Sequence, residues 1–283
     1  MKYLITGAHG MLGQDLQQAL AGRDVTALSR ADLDVTDADA VRAAVAGHDV
    51  VINAAAYTKV DDAEEHEDEA HAINATGAAN LAHAAAEQGA ILVQLSTDYV
   101  FDGSATTPYP EDSPVNPVSA YGRTKAAGER LALEANPGRT IVVRTAWTYG
   151  AHGPNFAKTM LRLAASHDTV SVVTDQVGQP TWTLELARQI IALLDAGATS
   201  GIFHGTASGE ASWFDFAQAV FRNAGLDPDR VKPTDSSQFV RPAPRPAYSV
   251  LGHDSWQRIG LKPLRDWSIA LSEAATQGVL DNG

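Results

Sequence analysis

The chain alternates between short apolar runs and longer segments rich in alanine and polar residues. Five runs have the length and β-branched content of strands, and a helix-like segment follows each: KYLIT, DVTAL, DVVINAA, AILVQLS and TIVVRTA. These runs are almost wholly apolar, which is typical of strands that helices cover on both faces. The pattern therefore predicts an α/β fold with a Rossmann-type, doubly wound parallel sheet.

Beyond about residue 150 the alternation becomes irregular. Glycine and proline interrupt the chain at GAHGPN, DQVGQPT and RPAPRPAY. We expect residues 1–150 to form the Rossmann domain and residues 151–283 to form mainly a smaller, mixed α/β substrate-binding domain. A segment near 170–200 is expected to return to the first domain.

Composition narrows the possible functions. The 283 residues include no cysteine, which excludes disulfides, thiolate nucleophiles and cysteine-bound zinc. The net charge of −13 argues against a nucleic-acid partner, because phosphate binding depends on clustered basic residues. No apolar run approaches the roughly 20 residues of a membrane span, and the first run is too short for a signal peptide. We expect a cytoplasmic protein that binds a small molecule and neither nucleic acid nor membrane.

Three glycines follow the first predicted strand in KYLITGAHGMLGQDLQQAL. Gly7, Gly10 and Gly13 are spaced G-x-x-G-x-x-G and stand where a helix begins. Such a turn brings backbone N–H groups and the positive end of a helix dipole to a pyrophosphate. Glycines also serve tight turns that bind nothing, but the position after the first strand favours a dinucleotide site.

The ends of the next two strands would border the same site. Ser29 and Arg30 follow the second strand and suit the 2′-phosphate of NADPH, whereas NAD-binding proteins commonly have an acidic residue there. The alternative for Arg30 is a solvated turn. Asp34 and Val35 come next and would contact the adenine, while the small residues of INAAAY leave room for a dinucleotide.

A tyrosine and a lysine lie four positions apart in SAYGRTKAAGE. On a helix, Tyr121 and Lys125 share one face, where the ammonium would lower the tyrosine pKa and prepare it for proton transfer. The alternative is a lysine stem that covers a tyrosine ring. Thr97 and Asp98 end the fourth strand and should face the same crevice, unless they only terminate the strand and cap a turn.

These blocks together resemble the extended short-chain dehydrogenase/reductases, and within them the dTDP-4-dehydrorhamnose reductase family. The resemblance rests on TGAHGMLG, NAAAYT, STDYVFDG, YGRTKAAGE, VVRTAWTYG, NFAKTMLRLA and TDQVGQPT, in the order of that family. It covers nearly the whole chain, and TDQVGQPT is its most specific block.

The resemblance implies reduction of the C4 ketone of dTDP-4-dehydro-β-L-rhamnose by NADPH, the last step of dTDP-rhamnose biosynthesis. Tyr121 would protonate the carbonyl oxygen, Lys125 would hold the nicotinamide ribose and lower the tyrosine pKa, and Thr97 would hydrogen-bond the same oxygen. The expected cofactor-binding residues, within the NADP-binding domain 1–150, are Gly7, His9, Gly10, Met11, Leu12, Gly13, Ser29, Arg30, Asp34, Val35, Ala54, Ala55, Ala56, Tyr121 and Lys125.

The resemblance also implies a nucleotide-sugar site. Trp147 would contact the sugar or else pack in the core. Arg241 and Arg245 would bind the diphosphate or else belong to a stiff surface loop. The expected substrate-binding residues are Thr58, Val60, Thr97, Asp98, Tyr99, Tyr121, Trp147, Asn155, Gln176, Thr181, Arg241 and Arg245.

Several properties stay open at this point. Members of the family are monomers or homodimers, some use Mg²⁺ held by glutamates, and some accept NADH beside NADPH. We place no metal ligand in this sequence. Two other functions remain: another nucleotide-sugar epimerase or reductase, and a non-catalytic regulatory subunit like the relative in methionine adenosyltransferase complexes. The intact Thr97, Tyr121 and Lys125 set favours turnover.

Overall fold

The computed structural model describes residues 1–280, and a six-stranded parallel sheet lies at its centre. The strands of the chain are β1 Lys2–Thr6, β2 Asp24–Leu28, β3 Val50–Asn53, β4 Ile91–Thr97, β5 Thr140–Thr145, β6 Thr148–Tyr149, β7 Val170–Val173, β8 Val177–Gly178, β9 Thr181–Trp182, β10 Gly201–His204, β11 Ala211–Ser212 and β12 Val231–Thr234. The central order is β10-β5-β4-β3-β1-β2, with every pair parallel. The predicted doubly wound sheet is confirmed, and its direction reverses between β1 and β3.

Helices cover both faces of this sheet. They are α1 Met11–Ala19, α2 Ala38–Val45, α3 Glu67–His71, α4 Gly77–Gln88, α5 Ala120–Ala135, α6 Phe156–Ser166, α7 Thr183–Asp195, α8 Trp213–Asn223, α9 Asp254–Arg258 and α10 Trp267–Thr276, with a π-helical turn at Ala72–Thr76. α1 and α7 pack together on one face, while α2, α4 and α5 pack on the other. Each side of a strand therefore meets an apolar helix face, which explains why the strands are apolar throughout.

The remaining elements form a smaller unit. β7 pairs with β12, β8 pairs with β11, and β6 pairs with β9. α6, α8 and α10 bury a separate apolar cluster that contains Phe216, Phe221 and Leu271. The sequence predicted this mixed α/β region.

The chain returns to the central sheet twice after residue 150. The first return is residues 183–204, in which α7 packs against α1 and β10 joins the sheet beside β5. β7 also falls in the expected segment 170–200, but it pairs with β12 outside the central sheet. The second return is α9. Trp256 of α9 is fully buried in the core beneath the sheet and donates a hydrogen bond from Nε1 to the His204 carbonyl oxygen at 2.8 Å. Truncating such a tryptophan to alanine typically costs about 3–5 kcal/mol.

Candidate active site

The glycine turn between β1 and α1 is fixed by close backbone contacts. Gly7 has a φ of 70°, and a Cβ there would lie 2.6 Å from the Ala54 carbonyl carbon. A Cβ on Gly13 would lie 2.2 Å from the Gly7 carbonyl oxygen. Both glycines are therefore required by packing within the turn itself, which holds the start of α1 against the ends of β1 and β3.

The first turn of α1 can accept an anion. Gly10 is its N-cap, and no side chain caps the free N–H groups that follow. These groups border a cavity of about 840 Å³ between the ends of β1, β2 and β3. An uncapped helix N-terminus facing a cavity at the point where the sheet reverses suits the pyrophosphate of a dinucleotide.

Most of the predicted cofactor residues line this cavity, but not all. The lining includes thirteen residues that the sequence analysis named: Gly7, His9, Gly10, Met11, Leu12, Gly13, Arg30, Asp34, Val35, Ala54, Ala55, Ala56 and Thr58. Ser29, Tyr121 and Lys125 are not among the lining residues. Of the thirteen, only Thr58 had been assigned to the substrate.

Ser29 and Arg30 differ in what they offer a 2′-phosphate. Ser29 is buried, and its hydroxyl donates to Asp32 Oδ2 at 2.6 Å. Arg30 is exposed at the cavity. The hydrogen bonds that Asp34 accepts from Thr36 lower its pKa, and the charge of Arg30 lowers it further. The guanidinium is therefore the group available to a phosphate, while the Ser29 hydroxyl is already engaged.

Thr97 and Asp98 stand at the carboxyl end of β4, next to β3. The Thr97 hydroxyl donates to Asp98 Oδ1 at 2.9 Å and accepts from the Tyr99 amide, so it also has the capping role that the sequence left open. Asp98 Oδ2 and the Ser249 hydroxyl are buried and without hydrogen-bond partners among the described residues, although they are near neighbours. Burial raises the pKa of Asp98 to about 6, so its carboxylate is mostly charged at neutral pH.

Tyr121 lies close to these two residues. Burial raises its pKa to about 12, the Thr97 hydroxyl opposes that rise by hydrogen bonding, and the negative charge of Asp98 adds to it. The ring meets Tyr99 edge-on at 5.6 Å between centroids. Tyr121 and Ile73, which lines the cavity, pack against the same small apolar cluster. The phenol is therefore held protonated beside Thr97.

Lys125 is almost fully buried one turn further along α5. Its ammonium donates to the Leu95 carbonyl oxygen at 2.6 Å. Burial lowers its pKa to about 8, and the carboxylate of Glu129 opposes that fall. In this structure burial and the charge of Asp98 raise the pKa of Tyr121, and the lowering by Lys125 that the resemblance implies stays a prediction.

Three of the predicted substrate-binding residues, Trp147, Asn155 and Thr181, lie in different surroundings. Trp147 has a φ of 47°, unusual for a bulky residue, and stacks on Trp213 with centroids 3.6 Å apart. Asn155 caps α6 through its Oδ1 and donates to the Gly150 carbonyl oxygen. Thr181 is fully buried. Its hydroxyl donates to the Gln179 carbonyl oxygen and accepts a hydrogen bond from the Ala207 amide. Trp147 is half-buried, whereas Thr181 has its polar group satisfied inside the protein.

The proline-rich segment reaches back to the first domain. Arg245 pairs with Asp61 through two contacts of 2.9 and 3.0 Å, and Arg241 is exposed nearby. Gln176 donates to Ser236 at 2.8 Å. The carboxylate of Asp61 neutralises the charge of Arg245, which was expected to bind the diphosphate. Val60 is half-buried at the start of the same acidic turn.

Sequence reasoning missed several lining residues. Thr36, Thr148 and Thr183 also line the cavity, and Gly153 with Pro154 belongs to the interrupted stretch GAHGPN. Only that glycine and proline punctuation gave a local signal. Among residues 1–280, no cluster of three or more histidine, aspartate or glutamate side chains is arranged to hold a metal ion. In the same part of the chain, no helix combines the length and apolar character needed to cross a membrane.

Comparisons with known proteins match this geometry. A family model described as RmlD substrate binding domain matches residues 1–279. A dTDP-4-dehydrorhamnose reductase of Streptomyces griseus is 52% identical over 96% of this chain and 92% of its own length. A probable dTDP-4,6-dihydroxy-2-methyloxan-3-one 4-ketoreductase of Streptomyces antibioticus is 53% identical, covering 97% and 94%. The crystal structure of a Bacillus anthracis dTDP-4-dehydrorhamnose reductase in complex with NADP has 37% identity and a TM-score of 0.94, covering 98% of this chain and 100% of that one.

Proposed function

This chain belongs to the family described as RmlD substrate binding domain, and we propose that it reduces the C4 ketone of dTDP-4-dehydro-β-L-rhamnose to dTDP-L-rhamnose with NADPH. The observation that carries the proposal is that Thr97 and Tyr121 lie together at the end of β4, while the neighbouring strand β3 ends at a cavity large enough for a dinucleotide. NADP in the Bacillus anthracis structure supports the choice of cofactor.

Different residues of the chain would bind different parts of the cofactor. The free N–H groups of α1 would bind the pyrophosphate, and Arg30 would bind the 2′-phosphate. Lys125, charged at neutral pH, would hold the nicotinamide ribose. The cofactor, when bound, supplies the hydride.

Proton transfer would come from Tyr121. A pKa of about 12 keeps its phenol protonated at neutral pH, which is the state that a proton donor to a ketone oxygen needs. The charge of Asp98 favours this state, and the Thr97 hydroxyl beside it would donate to the same oxygen. As negative charge develops on the substrate oxygen, the Tyr121 phenol would stabilise it, and Thr97 would join it once its hydroxyl proton turns from Asp98 Oδ1 to the substrate.

Arg241 and Arg245 would lie toward the diphosphate, with Asp61 holding Arg245 in place. Trp147 would contact the sugar, because its half-buried ring is fixed by the stack on Trp213. Arg30 would make NADPH the preferred cofactor, with NADH as the poorer substitute.

A second candidate is reduction of a related dTDP-linked 4-keto sugar. It is favoured by the Streptomyces antibioticus relative, which is named for a different ketone substrate and is similarly identical to this chain. The two candidates share the residues at C4 and differ in the sugar hydroxyls that the site must accept.

The test is a comparison of substrates with purified protein and NADPH. We expect absorbance of the reduced nicotinamide to fall fastest with dTDP-4-dehydro-β-L-rhamnose, and more slowly with its UDP-linked counterpart. A faster reaction with another dTDP-4-keto sugar would select the second candidate. No oxidation of NADPH with any of them would contradict the reductase proposal.

A further inference from the structure

A second charged residue lies one helical turn beyond Lys125 on α5. Glu129 and Lys125 are each 4% exposed, and their spacing of four places them on one helix face. The Lys125 ammonium donates to one carbonyl oxygen, that of Leu95 on β4. A buried ammonium with so little compensation needs a nearby negative charge to stay protonated.

Glu129 is held in turn by a buried arginine. Arg144 on β5 is 2% exposed and donates to both carboxylate oxygens, from Nε at 2.9 Å and from Nη2 at 2.8 Å. Its remaining Nη1 donates to the Glu111 carbonyl oxygen at 3.2 Å. The carboxylate is thus fixed in position and oriented by the central sheet.

We propose that Glu129 is a positioning residue that keeps the Lys125 ammonium charged inside the protein, and that Arg144 holds it in the place where it does so. The inference rests on the proposed function, because it is the charged Lys125 that would bind the cofactor ribose. Glu129 would touch neither substrate nor cofactor and would act only through the lysine.

The surrounding charges support Glu129 as the group that matters. Burial lowers the pKa of Lys125 to about 8, and Glu129 acts against it. On β10, His204 has a pKa lowered to about 3 by burial and by Arg144, so it is neutral. The negative charge of Asp98, after β4, acts on Tyr121 and Tyr99.

The acids that reach α5 from its other neighbours have their own partners. Glu67 of α3 pairs with Arg123 at 2.6 Å, and Glu64 accepts a hydrogen bond from the Ala120 amide. The Glu111 side chain accepts from the Ser255 amide. Among the acids packed around α5 in the described residues, Glu129 is the one that shares the buried helix face of Lys125 and opposes the fall of its pKa.

A purely structural salt bridge makes a different prediction. If Glu129 and Arg144 served only each other, removing either would destabilise the protein and would leave the Lys125 pKa where it is. If Glu129 acts on Lys125, removing the acid lowers the pKa of the lysine. Removing the arginine leaves the pKa of Lys125 at its wild-type value or raises it.

The experiment measures the Lys125 pKa directly by NMR titration of protein labelled with ¹³C at lysine Cε. The other lysines, unlike Lys125, are exposed or half-buried: Lys2, Lys59, Lys158, Lys232 and Lys262. We compare wild type with Glu129→Gln and Arg144→Met. The matched control is Glu134→Gln, which removes an exposed acid of the same helix that pairs with Arg130.

We expect Glu129→Gln to lower the Lys125 pKa by about 1, so that near pH 8 the charged fraction falls from about one half to about one tenth. The alkaline limb of the kcat/KM profile should move to lower pH with it, giving a roughly fivefold loss near pH 8 and little loss near pH 6. Arg144→Met and Glu134→Gln should not move the lysine pKa downward.

Glu129→Gln leaves Arg144 buried without a partner and can fail to fold for that reason. The double variant Glu129→Gln/Arg144→Met removes both charges, and we expect it to fold and to show a Lys125 pKa lower than that of Arg144→Met. An equal Lys125 pKa in these two variants would overturn the inference. The titration needs no substrate, so its result does not depend on the proposed function. The proposed function is contradicted by a different result, wild-type protein that does not oxidise NADPH.

Discussion

Replacing Lys125 with methionine should make the protein more stable while it destroys activity. Methionine has a similar length, stays apolar, and leaves the Leu95 carbonyl oxygen with the hydrogen bond it accepts from Gln94. In the folded protein the pKa of Lys125 is about 8, against an ordinary value of 10.5. Each unit of pKa corresponds to about 1.4 kcal/mol, so the charged lysine costs the fold on the order of 3 kcal/mol at neutral pH.

The sign of the pH dependence follows from this depressed pKa. Between about pH 8 and pH 10.5 the unfolded chain binds the lysine proton and the folded chain does not, so the free energy of unfolding of wild type rises with pH in this window. Lys125→Met lacks that group. We therefore expect its advantage over wild type to be largest below pH 8 and to shrink steadily as the pH approaches 10.5.

The assay is urea unfolding of wild type and Lys125→Met, followed by circular dichroism at about pH 7 and about pH 10. Lys232→Met, at an exposed position of β12, is the control and should change the free energy of unfolding by less than about 0.5 kcal/mol. If Lys125→Met is less stable than wild type near neutral pH, or if its advantage does not depend on pH, the burial argument for Lys125 is refuted.

Two further substitutions test the site. Tyr121→Phe should lower kcat by about 10² to 10⁴-fold and leave the Kd for NADPH nearly unchanged, because it removes the proton donor but keeps the aromatic ring. Steady-state kinetics and a binding titration check this, and an unchanged kcat would remove Tyr121 from the chemistry. Arg30→Asp replaces a cation near the 2′-phosphate with an acid. It should therefore weaken NADPH binding and raise the ratio of kcat/KM for NADH to kcat/KM for NADPH. An unaltered ratio would contradict the role given to Arg30.

The sheet could be predicted from the sequence because its signal is local. The strands β1 to β5 are the apolar runs that the sequence predicted, and they place the glycine turn after β1. The sixth strand of the sheet, β10, was not predicted. The position of Thr97 follows from the sequence because it ends β4, at the edge of a parallel sheet where ligands bind. Tyr121 lies near Thr97 from the helix α5.

Side-chain partners that are far apart in sequence could not be predicted in this way. Arg245 pairs with Asp61, 184 positions earlier, and nothing in the sequence around either residue indicates the pair. Thr181 lies in a family block but is buried with its hydroxyl satisfied. The lysine and tyrosine pKa values depend on burial, which the helical spacing of Tyr121 and Lys125 does not reveal.

The central claim is that this chain reduces a dTDP-linked 4-keto sugar with NADPH through Tyr121. The most direct test incubates the protein with dTDP-4-dehydro-β-L-rhamnose and NADPH, and identifies the sugar product by NMR. The account predicts stoichiometric formation of dTDP-L-rhamnose and NADP⁺ by wild type, and a loss of rate of at least about 10²-fold with Tyr121→Phe. Wild-type protein that binds NADPH but forms no reduced sugar would contradict it.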